Sequence, residues 1–308
     1  MTDTVRVDAD GVVDVGLTAL MAAAARAIEA SRPDALARDT FAEHFVRAAP
    51  ACAGWPRRPE DVPDAEADPL WGRLARFFAL RTRVFDDFLL SGAAAGSRQV
   101  VLLGAGLDTR AHRLPWPDDC VVFEIDREQV LAFKQSVLDS LGAAPRAERV
   151  AVAADLREDW IGALVAAGFD PARPSVWLAE GLLPYLPPAA EREVLATVHA
   201  HSGPGSALGC EVKHGVDPAG QRDYPIYAAA RERAGIDLLA LFSAEPRPDS
   251  AAELAARGWA TSVHSPFDFT RRHGRGPQPA EHDALAANRW ILATRPPVRP
   301  PARHRLDG

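Results

Sequence analysis

The stretch Gln99-Val-Val-Leu-Leu-Gly-Ala-Gly-Leu-Asp-Thr-Arg110 decides the fold of this 308-residue chain. Its first five residues form a short apolar run that ends at a glycine, as is typical of a buried strand. Gly104 and Gly106 allow the backbone to turn tightly and to approach a ligand closely, and the amino end of the following helix would favour negative charge. Thr109 stands where the dinucleotide-binding fingerprint has its third glycine. The stretch therefore predicts a strand, a ligand-binding turn and a helix.

Further apolar runs of strand length follow and alternate with helix-like segments. The predicted strands cover residues 121–125, 149–153, 175–179 and 206–212, and the predicted helices cover about 127–141, 157–167 and 189–202. This alternation predicts an α/β fold with a parallel sheet covered on both faces. Since ligands bind outside the carboxyl ends of the strands in such sheets, the residues that follow each strand are the candidate binding residues.

The segment before the first strand, residues 14–92, is predicted to be largely helical. Thr18 to Ala30 is rich in alanine, residues 34–48 have a helical spacing of aromatic residues, and the proline-rich residues 50–67 are predicted to form a loop. Asp68-Pro69 has the pattern of an N-cap followed by proline at the first helical position. A long amphipathic helix is expected after it.

Composition and charge exclude several classes of protein. The net charge of -7 disfavours a general electrostatic grip on nucleic acid. Three widely separated cysteines disfavour a disulfide framework or a cysteine-rich metal site and suit a reducing cytoplasm. No segment reaches the ~18 apolar residues of a membrane span, and the start of the chain lacks a signal-peptide pattern. The basic residues are almost all arginine, since Lys134 and Lys213 are the only lysines.

Acidic residues follow the second, third and fourth predicted strands. Glu124 and Asp126 close the second, Asp155-Leu156 follows the third, and Glu180 follows the fourth. Asp126 comes roughly 20 residues after the glycines, a spacing that suits ribose hydroxyls. An acidic edge would repel a pyrophosphate but would bind hydroxyls, an amine and positive charge. This pattern favours S-adenosylmethionine (SAM), with its ammonium and sulfonium groups, over NAD.

Arg81 is the candidate partner for the carboxylate of such a cofactor. It lies one turn from Phe77 and one turn from Phe85, on the apolar side of its predicted helix. An arginine in that position must either extend to solvent or meet an anion, and the helix pattern leaves both open. Arg83, by contrast, is spaced to pair with Asp87 on the helix surface.

Several separated segments together resemble the bacterial class I SAM-dependent methyltransferases. More narrowly, they resemble the leucine carboxyl methyltransferase-like group, which includes O-methyltransferases of polyketide pathways. The segments are VVLLGAGLDTRAHRL, FEID, ADLREDW and WLAEGLLPYLP, preceded by RTRVFDDFL. The resemblance covers roughly residues 14–295 and is specific because the segments occur in the family's order.

The resemblance implies roles for individual residues toward SAM. Gly104 lies in the turn that backs the methionine moiety, with Gly106 in the same turn. Asp126 matches the acid that binds the ribose hydroxyls, with Glu124 beside it.

The resemblance extends to the remaining groups of the cofactor. Asp155 and Leu156 match the pair that binds adenine. Glu180 matches the acid near the amino group, and Arg81 matches the arginine that holds the carboxylate. Arg26 is a candidate second cation for that carboxylate, or else a surface residue.

The implied architecture is a Rossmann-like, seven-stranded class I methyltransferase sheet with a helical N-terminal cap. Residues 1–92 would form the cap and residues 93–295 the SAM-binding core, with the last two strands near 260–264 and 289–294. An insertion at about 214–258 would help to shape the acceptor pocket. The Pro- and Arg-rich residues 296–308 would form a flexible tail.

The sequence does not identify the methyl acceptor. A small carboxylic acid would need no general base, whereas a polyketide-like hydroxyl would need one or a hydrogen-bonding partner. Tyr185, just past Glu180, is the candidate catalytic residue of the acceptor pocket, although it could equally be a packing residue. The candidate bases are His112, His214, His264 and His273.

Two other functions remain open at this point, an NAD-dependent Rossmann oxidoreductase and a non-catalytic SAM-binding protein. No metal, nucleic acid or membrane partner is expected. The oligomeric state cannot be read from the sequence.

Overall fold

A computed structural model describes residues 16–243 and 245–297 of the chain. The predicted tail, residues 296–308, lies outside the described residues except for its first two. The first 15 residues of the predicted cap also lie outside them.

A single seven-stranded sheet forms the centre of the described structure. Its order is β3-β2-β1-β4-β5-β7-β6, and all neighbouring pairs are parallel except those of β7. The strands are β1 Gln99–Leu103, β2 Val121–Asp126, β3 Glu148–Ala153, β4 Ser175–Ala179, β5 Ala207–Lys213, β6 Ala260–His264 and β7 Asn288–Thr294. All seven predicted strands are confirmed to within one residue at each end, and so is the class I methyltransferase sheet.

Helices cover both faces of this sheet. Within the described residues the α-helices are α1 Leu17–Ala30, α2 Ala42–Ala48, α3 Trp71–Ala94, α4 Arg110–Arg113, α5 Glu128–Ser140, α6 Trp160–Ala166, α7 Pro188–Ala200, α8 Pro225–Ala234, α9 Ser250–Ala256 and α10 Pro266–His273. Short 3-10 turns lie at Pro50–Cys52, Pro59–Asp61, Leu183–Tyr185, Leu238–Leu241 and Ala284–Ala287. No helix among these is long and apolar enough to cross a bilayer.

The alternation of side chains along β1 divides the core into two layers. Val100 and Leu102 pack with the N-terminal helices, whereas Val101 and Leu103 pack on the opposite face against α6 and α7. All four are buried, as expected for a parallel strand covered on both sides. The glycine turn therefore begins at the carboxyl end of a strand whose two faces are both covered.

Helix α3 lies very close to the sheet, and a glycine makes this possible. A Cβ atom at Gly92 would lie 2.4 Å from Val176 Cγ2 of β4, so no larger side chain fits without displacing the strand. This contact fixes the height of α3 over β4. It thereby fixes the position of Arg81, three turns earlier on the same helix.

Two local predictions in the N-terminal segment were wrong about where helices begin. The segment 34–48 is helical only from Ala42, because the Asp39 carboxylate accepts from Phe41 N at 3.2 Å and binds Arg26 instead. Helix α3 begins at Trp71 rather than at Pro69. Asp68 still caps it, accepting from Leu70 N and Gly72 N at 3.1 and 3.0 Å.

Helix α10 begins at a capping box that offers a test of the local structure. Ser265 Oγ accepts from Asp268 N at 3.3 Å, and Asp268 Oδ2 accepts from Ser265 N at 2.7 Å. Ser265→Ala should lower the free energy of unfolding by about 1 kcal/mol, because the helix loses a side-chain cap. Urea denaturation measures the change. Ser91→Ala, at an exposed position inside α3, is the control and should not lower it; equal effects of the two changes would contradict the capping role.

Candidate active site

The glycine turn after β1 has the backbone geometry that the sequence predicts. Gly104 and Gly106 have φ angles of +62° and +43°, in the left-handed region that glycine adopts without strain. Gly106 N donates to Asp126 Oδ2 over 2.7 Å, so the acid that ends β2 holds the turn that follows β1. The Asp126 carboxylate also accepts from Arg127 N at 2.8 Å.

The turn forms one wall of a cavity of about 780 Å³ that is open to solvent. We call it the glycine-turn cavity. Its other walls come from α1, α3, α4 and the loop after β4. Its charged lining consists of four arginines and three acids, namely Arg26, Arg81, Arg110, Arg113, Asp39, Asp108 and Glu180.

Arg81 is the centre of a buried ionic cluster beside this cavity. Its Nε lies 2.9 Å from Glu180 Oε1, and its Nη1 lies 2.5 Å from Glu211 Oε2. Gly181 N also donates to Glu211 Oε2 at 3.1 Å, and the guanidinium lies 4.3 Å from the centre of the Phe78 ring. Burial disfavours the guanidinium charge, but Glu211 and Glu180 outweigh this and raise the pKa of Arg81. Arg81 therefore meets anions of the protein itself.

Arg110, which the sequence left unassigned, extends the cluster. Its Nη2 lies 2.8 Å from Glu180 Oε2 and its Nε lies 2.7 Å from Asp86 Oδ1, and it also binds Asp108. Arg113 Nη2 donates to the same Asp86 oxygen at 2.7 Å. Burial opposes the charge, but Asp108, Glu180 and Asp86 raise the pKa of Arg110 well above its usual value. Glu180 is thus held between two arginines.

Arg26 also reaches the glycine-turn cavity. Its Nε lies 3.0 Å from Asp39 Oδ2, and its Nη2 donates to Leu107 O at 2.8 Å. Arg26 therefore ties α1 to the backbone just past the glycine turn.

The structure does not bring Glu124 to the cavity. Glu124 is fully buried, and its Oε2 lies 2.8 Å from Lys134 Nζ and 2.7 Å from Arg149 Nη2. Because side chains alternate along a strand, Glu124 and Asp126 share a face of β2. Asp126 does not line the cavity either, but it lies at the strand end, where it contacts the turn through Gly106 N. We therefore remove Glu124 from the candidate binding residues and interpret it as a buried ion pair.

Asp155 and Leu156 follow β3 at the same edge of the sheet but do not line the glycine-turn cavity. Asp155 binds Arg157 through two nitrogens at 2.5 and 2.9 Å, and these bonds lower its pKa to about 2. Glu124, Asp155 and Glu180 each bind at least one arginine. The free acidic edge that the sequence predicts is therefore largely neutralised.

A second cavity of about 630 Å³ adjoins the first, and we call it the aromatic cavity. The two share Phe78, Arg81, Gly181 and Tyr185 among their lining residues. Tyr185 stacks on Phe242 with ring centres 5.3 Å apart and is 37% exposed, and a tyrosine phenol in contact with water has a pKa of about 10. Tyr185 is thus at the junction of the cavities and stays protonated near neutral pH.

Sequence reasoning missed three residues of the aromatic cavity: Glu211, Lys213 and Tyr227. Glu211 and Lys213 lie within the predicted fifth strand, where an acid and a lysine two residues apart share one face of the sheet. That spacing, together with the rarity of lysine in the chain, could have identified Glu211 and Lys213 as candidate site residues. Tyr227 lies in the insertion, whose sequence carries no recognisable motif.

None of the four candidate histidines lines either cavity within the described residues. His112 is buried at the edge of the Phe41 ring, and burial lowers its pKa. His264 contacts Phe269, and its Nε2 lies 3.1 Å from Ser262 Oγ. A histidine general base has no support in this geometry.

Residues 19–199, more than half of the chain, match the family model for leucine carboxyl methyltransferase. The chain belongs to this family. A relative from Streptomyces coelicolor is 64% identical over 91% of this chain and 93% of its own length, and one from Saccharopolyspora erythraea is 48% identical over 81% and 85%. Both carry the name "Putative S-adenosyl-L-methionine-dependent methyltransferase". These findings confirm the predicted family, enzyme class and cofactor, so the NAD-dependent and non-catalytic alternatives are set aside.

A solved structure of similar fold supports the architecture. It comes from Thermobifida fusca, is named a "putative methyltransferase", and aligns with a TM-score of 0.50 over 89% of this chain and 94% of its own. Its sequence identity of 18% means that it bears on the fold alone.

The glycine-turn cavity suits SAM in its polarity. Thr82 and Thr109 line it, and their hydroxyls are almost completely buried and have no hydrogen-bond partner within the described residues. Buried polar groups without partners are costly, so these two await a polar ligand.

Proposed function

We propose that this methyltransferase moves a methyl group from SAM to an oxygen of a small-molecule acceptor, either a carboxylate or a polyketide-like hydroxyl. The observation that carries the proposal is the junction of the two cavities at Arg81, Gly181 and Tyr185. A polar cavity beside the glycine turn shares these residues with a cavity whose walls are mostly aromatic and aliphatic. A cofactor in the first and an acceptor in the second would meet at this junction.

The residues at the glycine turn would hold the cofactor in a fixed orientation. Asp126 would bind the ribose hydroxyls, and Asp155 with Leu156 would bind adenine. Glu180 would lie near the amino group. Gly104 and Gly106 would back the methionine moiety.

Arg81 and Arg26 are the proposed partners of the cofactor's carboxylate. Both already bind protein carboxylates, Arg81 with Glu180 and Glu211 and Arg26 with Asp39. The cofactor would therefore join an existing ionic cluster instead of meeting a free cation.

Bound SAM supplies a methyl group that is already activated by the sulfonium. The protein's contribution is then to align the acceptor oxygen in line with that methyl group and to exclude water. A carboxylate is ionised at neutral pH and needs no general base. A hydroxyl acceptor would instead depend on a hydrogen bond at the junction, where the protonated phenol of Tyr185 can act as donor or acceptor.

The proposed division of the chain follows from the same arrangement. Residues up to 92 would cap the core, since α1 and α3 contribute Thr18 and Phe78 to both cavities. The insertion, residues 214–258, would shape the acceptor pocket through Tyr227 and Phe242. A cytoplasmic location, which the three buried free cysteines suit, and a role in secondary metabolism belong to the same proposal.

Two measurements test the proposal. Calorimetric titration with S-adenosylhomocysteine should show binding at one site, and incubation with methyl-labelled SAM and a cell extract should yield a labelled small molecule. Mild alkali then separates the acceptor classes, because a methyl ester releases labelled methanol and a methyl ether does not. Absence of binding to folded protein, or a label found on nitrogen or sulfur, would contradict the proposal.

A further inference from the structure

Lys213 places a cation in the wall of the aromatic cavity, and no salt-bridge partner for it lies in the part of the chain that the structure describes. It ends β5 and is only 6% exposed. Its Nζ donates to Ala284 O at 2.9 Å and to Asn288 Oδ1 at 3.2 Å. No carboxylate oxygen lies within 4.0 Å of it among the described residues. An ammonium has three donors, so one remains after these two bonds.

Lys134, the chain's other lysine, is also buried, but an acid neutralises its charge. Lys134 is fully buried, its Nζ lies 2.8 Å from Glu124 Oε2, and Asp108 O accepts a second bond at 2.9 Å. An unpaired buried charge is costly, and burial accordingly lowers the pKa of Lys213 to about 8. Only two of the chain's 35 lysine and arginine residues are lysines, and both are buried. Of the two, Lys213 lines the aromatic cavity, whereas Lys134 lines neither cavity.

Tyr227 adds a second donor to the same cavity. It lies on α8 within the insertion and is 2% exposed. Its hydroxyl has no hydrogen-bond partner within the described residues. Burial raises the pKa of this phenol, so its hydroxyl remains protonated and can donate. The cavity therefore contains two buried donors with unused bonding capacity.

The remaining walls of the cavity are mostly apolar. Phe77, Ile226 and Leu238 line it, and the Phe242 ring lies 5.3 Å from Lys213 Nζ. Glu211 and Arg81 also line it, but they bind each other at 2.5 Å. A ligand that satisfies every group would thus combine one anionic end with an apolar body.

We propose that Lys213 and Tyr227 form an anion subsite that binds the carboxylate of the acceptor, and that the acceptor is an apolar monocarboxylic acid. This inference rests on the proposed function, because it takes the aromatic cavity to be the acceptor pocket. The ammonium supplies a charge-assisted hydrogen bond and the phenol a neutral one. Among largely apolar walls a charged pair discriminates strongly against an uncharged analogue, because the analogue leaves the lysine without its anion.

The test compares acids with their uncharged amides on protein saturated with S-adenosylhomocysteine. The probes are 2-naphthoate, benzoate and decanoate, each paired with the corresponding amide, and calorimetry measures the affinities at neutral pH. We expect at least one acid to bind tenfold or more tightly than its amide. Lys213→Met should abolish this preference, and Tyr227→Phe should weaken acid binding several-fold. Arg83→Met, at an exposed pair on α3, is the control and should leave the preference intact.

The outcomes separate this inference from the proposed function. S-adenosylhomocysteine affinity is measured on each variant first, and we expect it to be unchanged in Lys213→Met and Tyr227→Phe. If the wild-type protein binds this cofactor product but prefers none of the acids, or if Lys213→Met keeps the preference, the subsite is refuted while the methyltransferase proposal stands. If Lys213→Met fails to fold, Tyr227→Phe decides, and unchanged acid affinity there counts against the subsite.

Discussion

Arg81→Leu should lower the free energy of unfolding by about 3–5 kcal/mol, the largest stability change that we expect from a single substitution here. Arg81 is 7% exposed and lies between the carboxylates of Glu180 and Glu211. Without it, Glu211 keeps only the bonds from Gly181 N and Trp290 Nε1 among the residues that the structure describes. Glu180 keeps Arg110, but its carboxylate and that of the buried Glu211 then lie close together without the cation that separates them. Urea denaturation, followed by circular dichroism, measures the loss.

The control is Arg83→Leu, two residues along the same helix. Arg83 pairs with Asp87 at 2.8 Å, but both side chains are nearly half exposed, so its removal should cost less than about 1 kcal/mol. If Arg81→Leu does not fold, the double variant with Glu211→Leu removes a partner together with the cation and should recover part of the lost stability. Equal effects of Arg81→Leu and Arg83→Leu would refute the buried cluster.

The strands and the glycine turn could be predicted from sequence because their signals are local. A short apolar run followed by Gly104 specifies a buried strand and a tight turn, whatever the rest of the chain does. Asp126 could be placed beside Gly106 for a related reason, since parallel strands bring their carboxyl ends to one edge of the sheet.

The partners of the charged residues could not be predicted because they are not local. Glu211 lies 130 positions after Arg81 in the chain, and the pair forms only when β5 packs beneath α3. The sequence thus led us to expect a free acidic edge of the sheet. In the folded chain most of the acids at that edge form ion pairs with arginines. Glu124 was misplaced for the same reason, since its partners Lys134 and Arg149 come from α5 and β3.

The aromatic cavity was beyond sequence reasoning for a further reason. Its walls come from α1, α3, β5, α8 and the chain near Ala284. None of these segments looks unusual by itself. Tyr227 resembles any apolar helix residue in sequence, and only the fold shows that its hydroxyl has no hydrogen-bond partner within residues 16–243 and 245–297.

Asp126→Ala should weaken the binding of S-adenosylhomocysteine by about 1.5–3 kcal/mol, or roughly 10- to 150-fold. We propose that its carboxylate binds the ribose hydroxyls, and hydrogen bonds to a charged acceptor have this magnitude. Calorimetric titration measures the affinity. Asp87→Ala is the control, because Asp87 is an exposed acid on α3 that pairs only with Arg83 among the described residues. Unchanged affinity in Asp126→Ala would refute the assignment of this strand end.

A weaker affinity alone would not prove a ribose contact, because Asp126 also accepts from Gly106 N at 2.7 Å and thereby holds the glycine turn. A cycle with a modified ligand separates the two roles. If the carboxylate binds the diol, the 2′-deoxy analogue should lose affinity for the wild-type protein but lose much less for Asp126→Ala, since the bond is already absent. If Asp126 acts only on the turn, both proteins lose equally. Asp126→Asn keeps an acceptor for Gly106 N and should therefore retain the turn while weakening the ribose bond, which places its affinity between those of the other two proteins.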